Sequence, residues 1–230
     1  MDSRDRVLKV QEFLDKYSNY LSIFETQLLI NYAKNEIPLQ TLVPDVVREI
    51  YDELELLPDE NNIYKGFINL INSEFPLKNR KIIEIGGGIF PRLGFRIETM
   101  LDNGSITVYD PRLALYIEDT EKMKLVRCKA DKNIPIGDAD LIIGLMPCEA
   151  AEVIIDIATL NNIDFMVSLC EGGPHGDIFD YFEDEDEWRH YILSKTQKLI
   201  EEKKMGKMKI KSLEEYGSPY PVIYNDRNSK

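Results

Sequence analysis

The chain has 230 residues, 43% of them apolar and 30% charged, enough for one large domain or one domain with a helical cap. Its formal charge of −13 disfavours nucleic acid as a partner, since phosphate binding needs clustered Lys and Arg. No apolar run reaches the ~18 residues of a membrane helix. Three scattered cysteines, Cys128, Cys148 and Cys170, form neither a disulfide framework nor a metal-ligand spacing. Met1 to Arg6 carry charges of both signs with no apolar signal core behind them, so the expected setting is reduced and cytoplasmic.

Residues 4 to about 76 carry the period of helices. Val7, Val10, Phe13, Leu14, Tyr17, Leu21, Ile23 and Phe24 recur at roughly helical spacing, and a second apolar stretch runs from Thr26 to Ala33. Pro44 and Asp45 open a third helix over Val46 to Leu56, with proline in the first turn, where its missing N–H costs nothing. Pro58 to Asn62 makes a turn, and Ile63 to Phe75 forms a fourth helix stopped by Pro76. No strand pattern interrupts this portion. The expected division is an all-helical segment at residues 1–77 and a second domain at 78–230.

The period changes at residue 80. Lys81 to Ile85 is a β-branched run that ends in Gly86-Gly87-Gly88. Ser105 to Tyr109, Leu125 to Cys128, Leu141 to Leu145 and Phe165 to Leu169 are further short apolar runs. Between them, stretches such as Leu93 to Leu101 and Ala150 to Leu160 are long enough for helices. Strands alternating with helices imply a mostly parallel sheet covered on both faces. A long helix is expected over residues 184–204. Its acidic start, Glu183 to Glu187, and its basic end complement the helix dipole, and the Lys203 to Lys211 cluster reads as part of that solvated end. Lys207 to Ser212 and Tyr220 to Asn225 read as two strands joined by a turn at Gly217-Ser218-Pro219. The expectation is an α/β fold with a seven-stranded sheet closing in an antiparallel C-terminal hairpin.

The segment from Ile83 to Gly94 carries most of the functional signal. An apolar strand ends, glycines turn the chain, and a helix begins. Glycines adopt torsions that side chains forbid and let a ligand approach the backbone. Asp110 follows at the tip of the second strand, 22 positions after Gly88, where an acid can take the hydroxyls of a ribose. The glycines alone fit a tight turn as well; Asp110 is what favours a nucleoside. A dinucleotide fingerprint counted from Gly86 would need glycine at position 91, where Pro91 stands, and no G-K-[ST] follows for a P-loop.

These residues resemble the class I S-adenosylmethionine-dependent methyltransferases. Glu84-x-Gly86-x-Gly88 is similar to their first motif, Asp110 to their ribose-binding acid, Ala130-Asp131 to their adenine-edge position, and Asp140 to Pro147 to their fourth strand and active-site loop. The resemblance covers roughly residues 78–225. It departs from the family at position 90, often a third glycine and here Phe90. It implies a Rossmann-like fold and S-adenosyl-L-methionine as cofactor. The backbone at Gly86, Gly87 and Gly88 would border the methionine part, with Glu84 holding its amino group. Asp110 would bind the ribose, Ala130 and Asp131 would meet the adenine, and Met146 would lie beside the methyl group. Glu84 also reads as a buried or capping carboxylate, and Asp131 as a surface acid.

The acceptor side is less legible, because methyl transfer needs alignment and dryness more than any fixed catalytic group. Candidates are Glu149, in the loop after the fourth strand, and Glu171 and His175, in the glycine-rich loop after the fifth. Each also reads as a helix-start or loop residue. Cys148 reads as a small hydrophobe, Tyr181 and Trp188 as packing residues, and His190 as structural. The loop lacks the [DN]-P-P-[YFW] signature of nucleic-acid amino-group methyltransferases. The expected function is methylation of a small-molecule or protein acceptor, with no metal. A non-catalytic S-adenosylmethionine or nucleotide binder is the alternative. An NAD-dependent oxidoreductase is disfavoured by Pro91 and the closing hairpin. The N-terminal helices would either cover the cleft or serve as packing or a homodimer contact.

Overall fold

The computed structural model describes residues 3–34, 47, 50, 54, 63–115, 117–170, 182, 184–216 and 218–227. The chain divides into two compact units: Met1–Asp59 with Ala114–Glu118, and Glu60–Leu113 with Asp119–Lys230.

In the first unit, α1 (Ser3–Tyr17) packs against α2 (Ile23–Ala33), and Arg6 Nε donates to Ala33 O at 3.2 Å. The apolar period suggested a helix running on to Phe24. Instead Ser18–Tyr20 makes a single 3-10 turn and Ser22 starts a new helix. The Ser22 hydroxyl accepts the Glu25 N–H at 3.2 Å, and the Glu25 carboxylate accepts the Ser22 N–H at 2.7 Å. This capping box satisfies two donors that a continuous helix would not leave open. The helix expected over Val46 to Leu56 and the turn at Pro58 to Asn62 lie outside the described residues, apart from Val47, Ile50 and Leu54.

The second unit holds α3 (Ile63–Glu74), β1 (Lys81–Ile85), α4 (Arg92–Glu98), β2 (Ser105–Tyr109), β3 (Met123–Val126), β4 (Leu141–Leu145), α5 (Ala150–Asn161), β5 (Asp164–Ser168), α6 (Glu185–Lys203), β6 (Lys207–Leu213) and β7 (Ser218–Asp226). The strands form one sheet in the order β3-β2-β1-β4-β5-β7-β6. The first five are parallel, and β7 runs antiparallel to both β5 and β6. This is a Rossmann-like, mostly parallel seven-stranded sheet with an antiparallel C-terminal hairpin.

Two boundaries differ from expectation. Helix α3 belongs to the sheet-bearing unit rather than to a segment ending at residue 77. It packs on α4 and β6, and the Tyr216 ring lies so close to Gly66 that an added Cβ would come within 2.3 Å of it. The final reversal is made by a 3-10 turn at Glu214–Tyr216, so Ser218 and Pro219 are already in β7. Proline is tolerated there because the ladder is irregular at Ser212/Leu213.

Strand alternation sorts the core. Ile83, Ile85, Ile142 and Phe165 pack with Ile154 and Ile157 of α5 and Trp188 and Ile192 of α6. Ile82 and Glu84 point to the opposite face, where α4 lies. Lys195 Nζ holds Glu152 Oε1 and Asp156 Oδ1 at 2.6 Å each, and the Tyr191 hydroxyl donates to Glu152 at 2.6 Å, clamping α6 to α5. Helix α6 starts on Asp184, whose side chain accepts the Glu187 N–H at 2.8 Å, and its first-turn acids match the dipole as expected. Fully buried Asn225 joins β7 to the start of β5. It accepts the Phe165 N–H at 2.8 Å and donates to Asp164 Oδ1 at 3.0 Å and to Met205 O at 3.3 Å.

Candidate functional site

From β1 the chain builds outward through β2 to β3, then returns to place β4 and β5 on the other side of β1. The order therefore reverses between β1 and β4. At such a switch point the loops leaving neighbouring strands diverge, and a crevice opens at the carboxyl ends of the strands. The glycine turn follows β1, Asp110 follows β2, and the Met146–Glu149 loop follows β4, so sequence and topology point to the same end of the sheet.

The three glycines serve different purposes. Gly86 has φ +88° and donates its N–H to Tyr109 O at 2.9 Å, and an added Cβ would lie 2.9 Å from Pro147 Cβ. Pro147 is thus seated directly on the turn. Gly87 makes room for packing, since a Cβ there would come within 2.4 Å of Val108 Cγ1. Gly88, at φ +76°, donates its N–H to Asp110 Oδ2 at 2.9 Å. Helix α4 begins just after Pro91. Its close approach to the sheet comes from Gly94, where a Cβ would lie 3.0 Å from both Glu84 Oε2 and Val108 Cγ2. A glycine three positions further along than the dinucleotide fingerprint therefore supplies the helix–strand contact.

Glu84 lies beneath the turn, near Gly87 and Gly94, and is 2% exposed. Its Oε2 accepts no hydrogen bond. Burial, and then the negative charge of Asp110, push its carboxyl up to about 8, with the Gly94 N–H pulling back in part. Asp110 is also buried, at 4% exposure. Its Oδ1 accepts the Arg112 N–H at 2.7 Å and lies 3.3 Å from Arg112 Nε, and its Oδ2 lies 3.4 Å from Arg112 Nη2.

The loop after β4 carries strain. Met146 and Cys148 both have φ +49°, a left-handed conformation that costs a side-chain-bearing residue about 1–2 kcal/mol. The Met146 N–H donates to Ser168 O at 3.0 Å, and Pro147, between the two, is buried on Gly86. Strain of this kind persists only where surrounding contacts over-determine the backbone, and here it edges the crevice.

Of the remaining candidates, Glu149 pairs with Lys129 at 2.9 Å, joining the loops after β4 and β3. Ala130 is buried. Asp131 is exposed, and its Oδ1 accepts the Asn133 N–H at 2.7 Å in a local turn. Glu171, His175 and Tyr181 lie outside the described residues. Trp188 is core, and His190 Nδ1 lies 2.7 Å from Asp186 O on an exposed helix face. Sequence reasoning missed Arg112, which covers the acid two positions beyond Asp110. It placed Pro147 in the loop after β4 but not its seat on the glycine turn.

No protein-family model matches the chain, and no curated protein matches it in sequence. Among solved structures, fibrillarin of Aeropyrum pernix with natively bound S-adenosyl-L-methionine is similar at 13% identity, over 71% of this chain and 76% of that one, with a TM-score of 0.46. Human N-acetylserotonin methyltransferase in complex with S-adenosylmethionine is similar at 12% identity, over 97% and 71%, with a TM-score of 0.47. Magnesium protoporphyrin IX methyltransferase of Synechocystis PCC 6803 with bound S-adenosylmethionine is similar at 10% identity, over 96% and 97%, with a TM-score of 0.46. Among the described residues no helix is long and apolar enough to cross a membrane, and no group of three His, Cys, Asp or Glu could hold a metal ion.

Proposed function

We propose that this chain is an S-adenosyl-L-methionine-dependent methyltransferase acting on a small-molecule or protein acceptor. The observation that carries the reading is the meeting, at the β1/β4 switch point, of a positive-φ glycine turn with a buried Asp110 at the end of β2. Further support is internal to the chain. Pro91 stands where a dinucleotide turn needs glycine, and the sheet closes in an antiparallel hairpin, as the methyltransferase resemblance implies.

The residues present fit an adenosyl cofactor. Gly86 and Gly88 expose backbone at the turn, Asp110 offers acceptors for ribose hydroxyls, and Ala130 with the backbone of Asp131 would border the adenine. Met146 would flank the methionine end. When bound, the cofactor supplies an electrophilic methyl group for in-line displacement, and the protein's contribution is alignment and exclusion of water. Pro147, fixed on Gly86 by a strained loop, is a rigid wall for that purpose. Glu84, buried beside Gly87 and Gly94 with Oε2 unbonded, is the proposed partner of the methionine amino group. Glu149, Glu171 and His175 are the proposed acceptor-side groups.

Calorimetric titration with S-adenosylmethionine and S-adenosylhomocysteine, with NAD as control and Asp110→Ala alongside, tests the reading. Binding of both sulfur ligands, weakened tenfold or more in order of magnitude by the variant, is expected, because an acceptor aimed at hydroxyl donors is worth about 1.5–3 kcal/mol when charged. Binding of NAD alone, or of nothing, would overturn it.

A further inference from the structure

All four acceptor positions of the Asp110 carboxylate are taken. Oδ1 receives the Arg112 N–H at 2.7 Å and Nε at 3.3 Å, while Oδ2 receives the Gly88 N–H at 2.9 Å and Nη2 of Arg112 at 3.4 Å. The two short bonds come from backbone held by the turns themselves. The two long ones come from a single guanidinium on a side chain 59% exposed, against a carboxylate only 4% exposed. A ribose brings two hydroxyl donors and needs two acceptor positions. Releasing the backbone pair would unmake the turns after β1 and β2, whereas the guanidinium pair is made by the end of one largely exposed side chain.

We propose that Arg112 is a latch on the nucleoside site, its guanidinium holding the two Asp110 acceptor positions that a ribose diol takes. This inference rests on the cofactor reading above. Ligand entry exchanges guanidinium for diol, and the guanidinium moves into solvent, where its charge is well hydrated. The exchange keeps the buried carboxylate satisfied in both states, which matters because an unpaired buried carboxylate is costly. It also makes the wild-type affinity lower than the pocket alone would give, by the strength of one half-exposed ion pair.

Adenosine is the probe of choice, because it carries the diol and no net charge. Its binding is to be measured calorimetrically to the wild type, Arg112→Lys and Arg112→Ala, at about 50 mM and about 500 mM salt. The Ala variant keeps the backbone N–H and should bind adenosine about two- to fivefold more tightly than the wild type. The Lys variant keeps the charge but loses the fork, and should fall between. Wild-type affinity should rise about twofold with salt, which screens the pair being broken, while the Ala variant should be flat. The salt series on the wild type stands by itself if a variant folds poorly. Equal or weaker binding by a folded Ala variant, or a wild-type affinity indifferent to salt, would overturn the latch while leaving the cofactor reading intact. Failure of all three proteins to bind either adenosine or S-adenosylhomocysteine would overturn both.

Discussion

Replacing Glu84 by glutamine isolates the most perturbed group at the site. In the folded protein its carboxyl is raised from 4.5 to about 8 by burial and by Asp110. The native state thus keeps a proton that the unfolded chain releases near its ordinary value. Above that value the native state binds more protons than the unfolded one, so stability falls as pH rises, by up to about 1.4 kcal/mol per pH unit, and levels off above about 8. The full loss is roughly 4–5 kcal/mol, about 3 kcal/mol of it between about pH 5 and 7.5. Glutamine has the shape of the protonated acid and cannot ionise. Glu84→Gln should match the wild type within about 1 kcal/mol near pH 5 and exceed it by about 3 kcal/mol near pH 7.5. Urea unfolding, followed by fluorescence of the sole tryptophan, buried Trp188, reads this directly. The difference between the two proteins removes the contribution of titrating groups that do not interact with Glu84. Parallel pH profiles, or a glutamine variant less stable throughout, would refute the assignment of a neutral buried Glu84.

Other substitutions test neighbouring parts of the fold. Gly94→Ala puts a Cβ 3.0 Å from Glu84 Oε2 and 3.1 Å from Met123 Sδ, and should lower stability by about 1–3 kcal/mol, seen as a fall of several degrees in Tm. Lys204 caps α6 at φ +55°, so Lys204→Gly should raise stability by about 0.5–1 kcal/mol in denaturant unfolding. Lys195→Met should destabilise by about 1 kcal/mol at neutral pH, because it strips the shared cation from Glu152 and Asp156. Burial raises the Glu152 carboxyl, but hydrogen bonds from Lys195 and Tyr191 outweigh it and hold the group below its ordinary value. That stabilisation is present above the ordinary carboxylate range and lost as pH falls through the lowered value, so the cost of Lys195→Met should shrink in acid.

The sheet was legible because parallel strands buried on both faces leave near-continuous apolar runs, as in Leu141–Leu145, with turn residues between them. The position of Asp110 was legible for the same reason: the end of a strand is marked by where its apolar run stops. Side-chain direction in turns was not. Nothing in Asp110-Pro111-Arg112 says that the arginine folds back over the acid, since a two-residue separation in a turn allows many orientations. The orientation of Glu84 could have been read. It alternates with Ile83 and Ile85, which point into the α5–α6 core, so it must face α4. The strained backbone at Met146 and Cys148 left no mark, because neither residue type favours positive φ. Helix α3 carried the period of the helices before it, yet its partners are α4 and β6, and tertiary contacts rather than local pattern decide membership of a unit.

A structure of the protein crystallised with S-adenosylhomocysteine tests the central claim most directly. The account predicts ligand along the glycine turn, its ribose hydroxyls on the Asp110 carboxylate and the Arg112 guanidinium withdrawn from it. Ligand bound elsewhere on the chain, or an intact Asp110–Arg112 pair with no ligand at the β1/β4 switch point under saturating conditions, would contradict it.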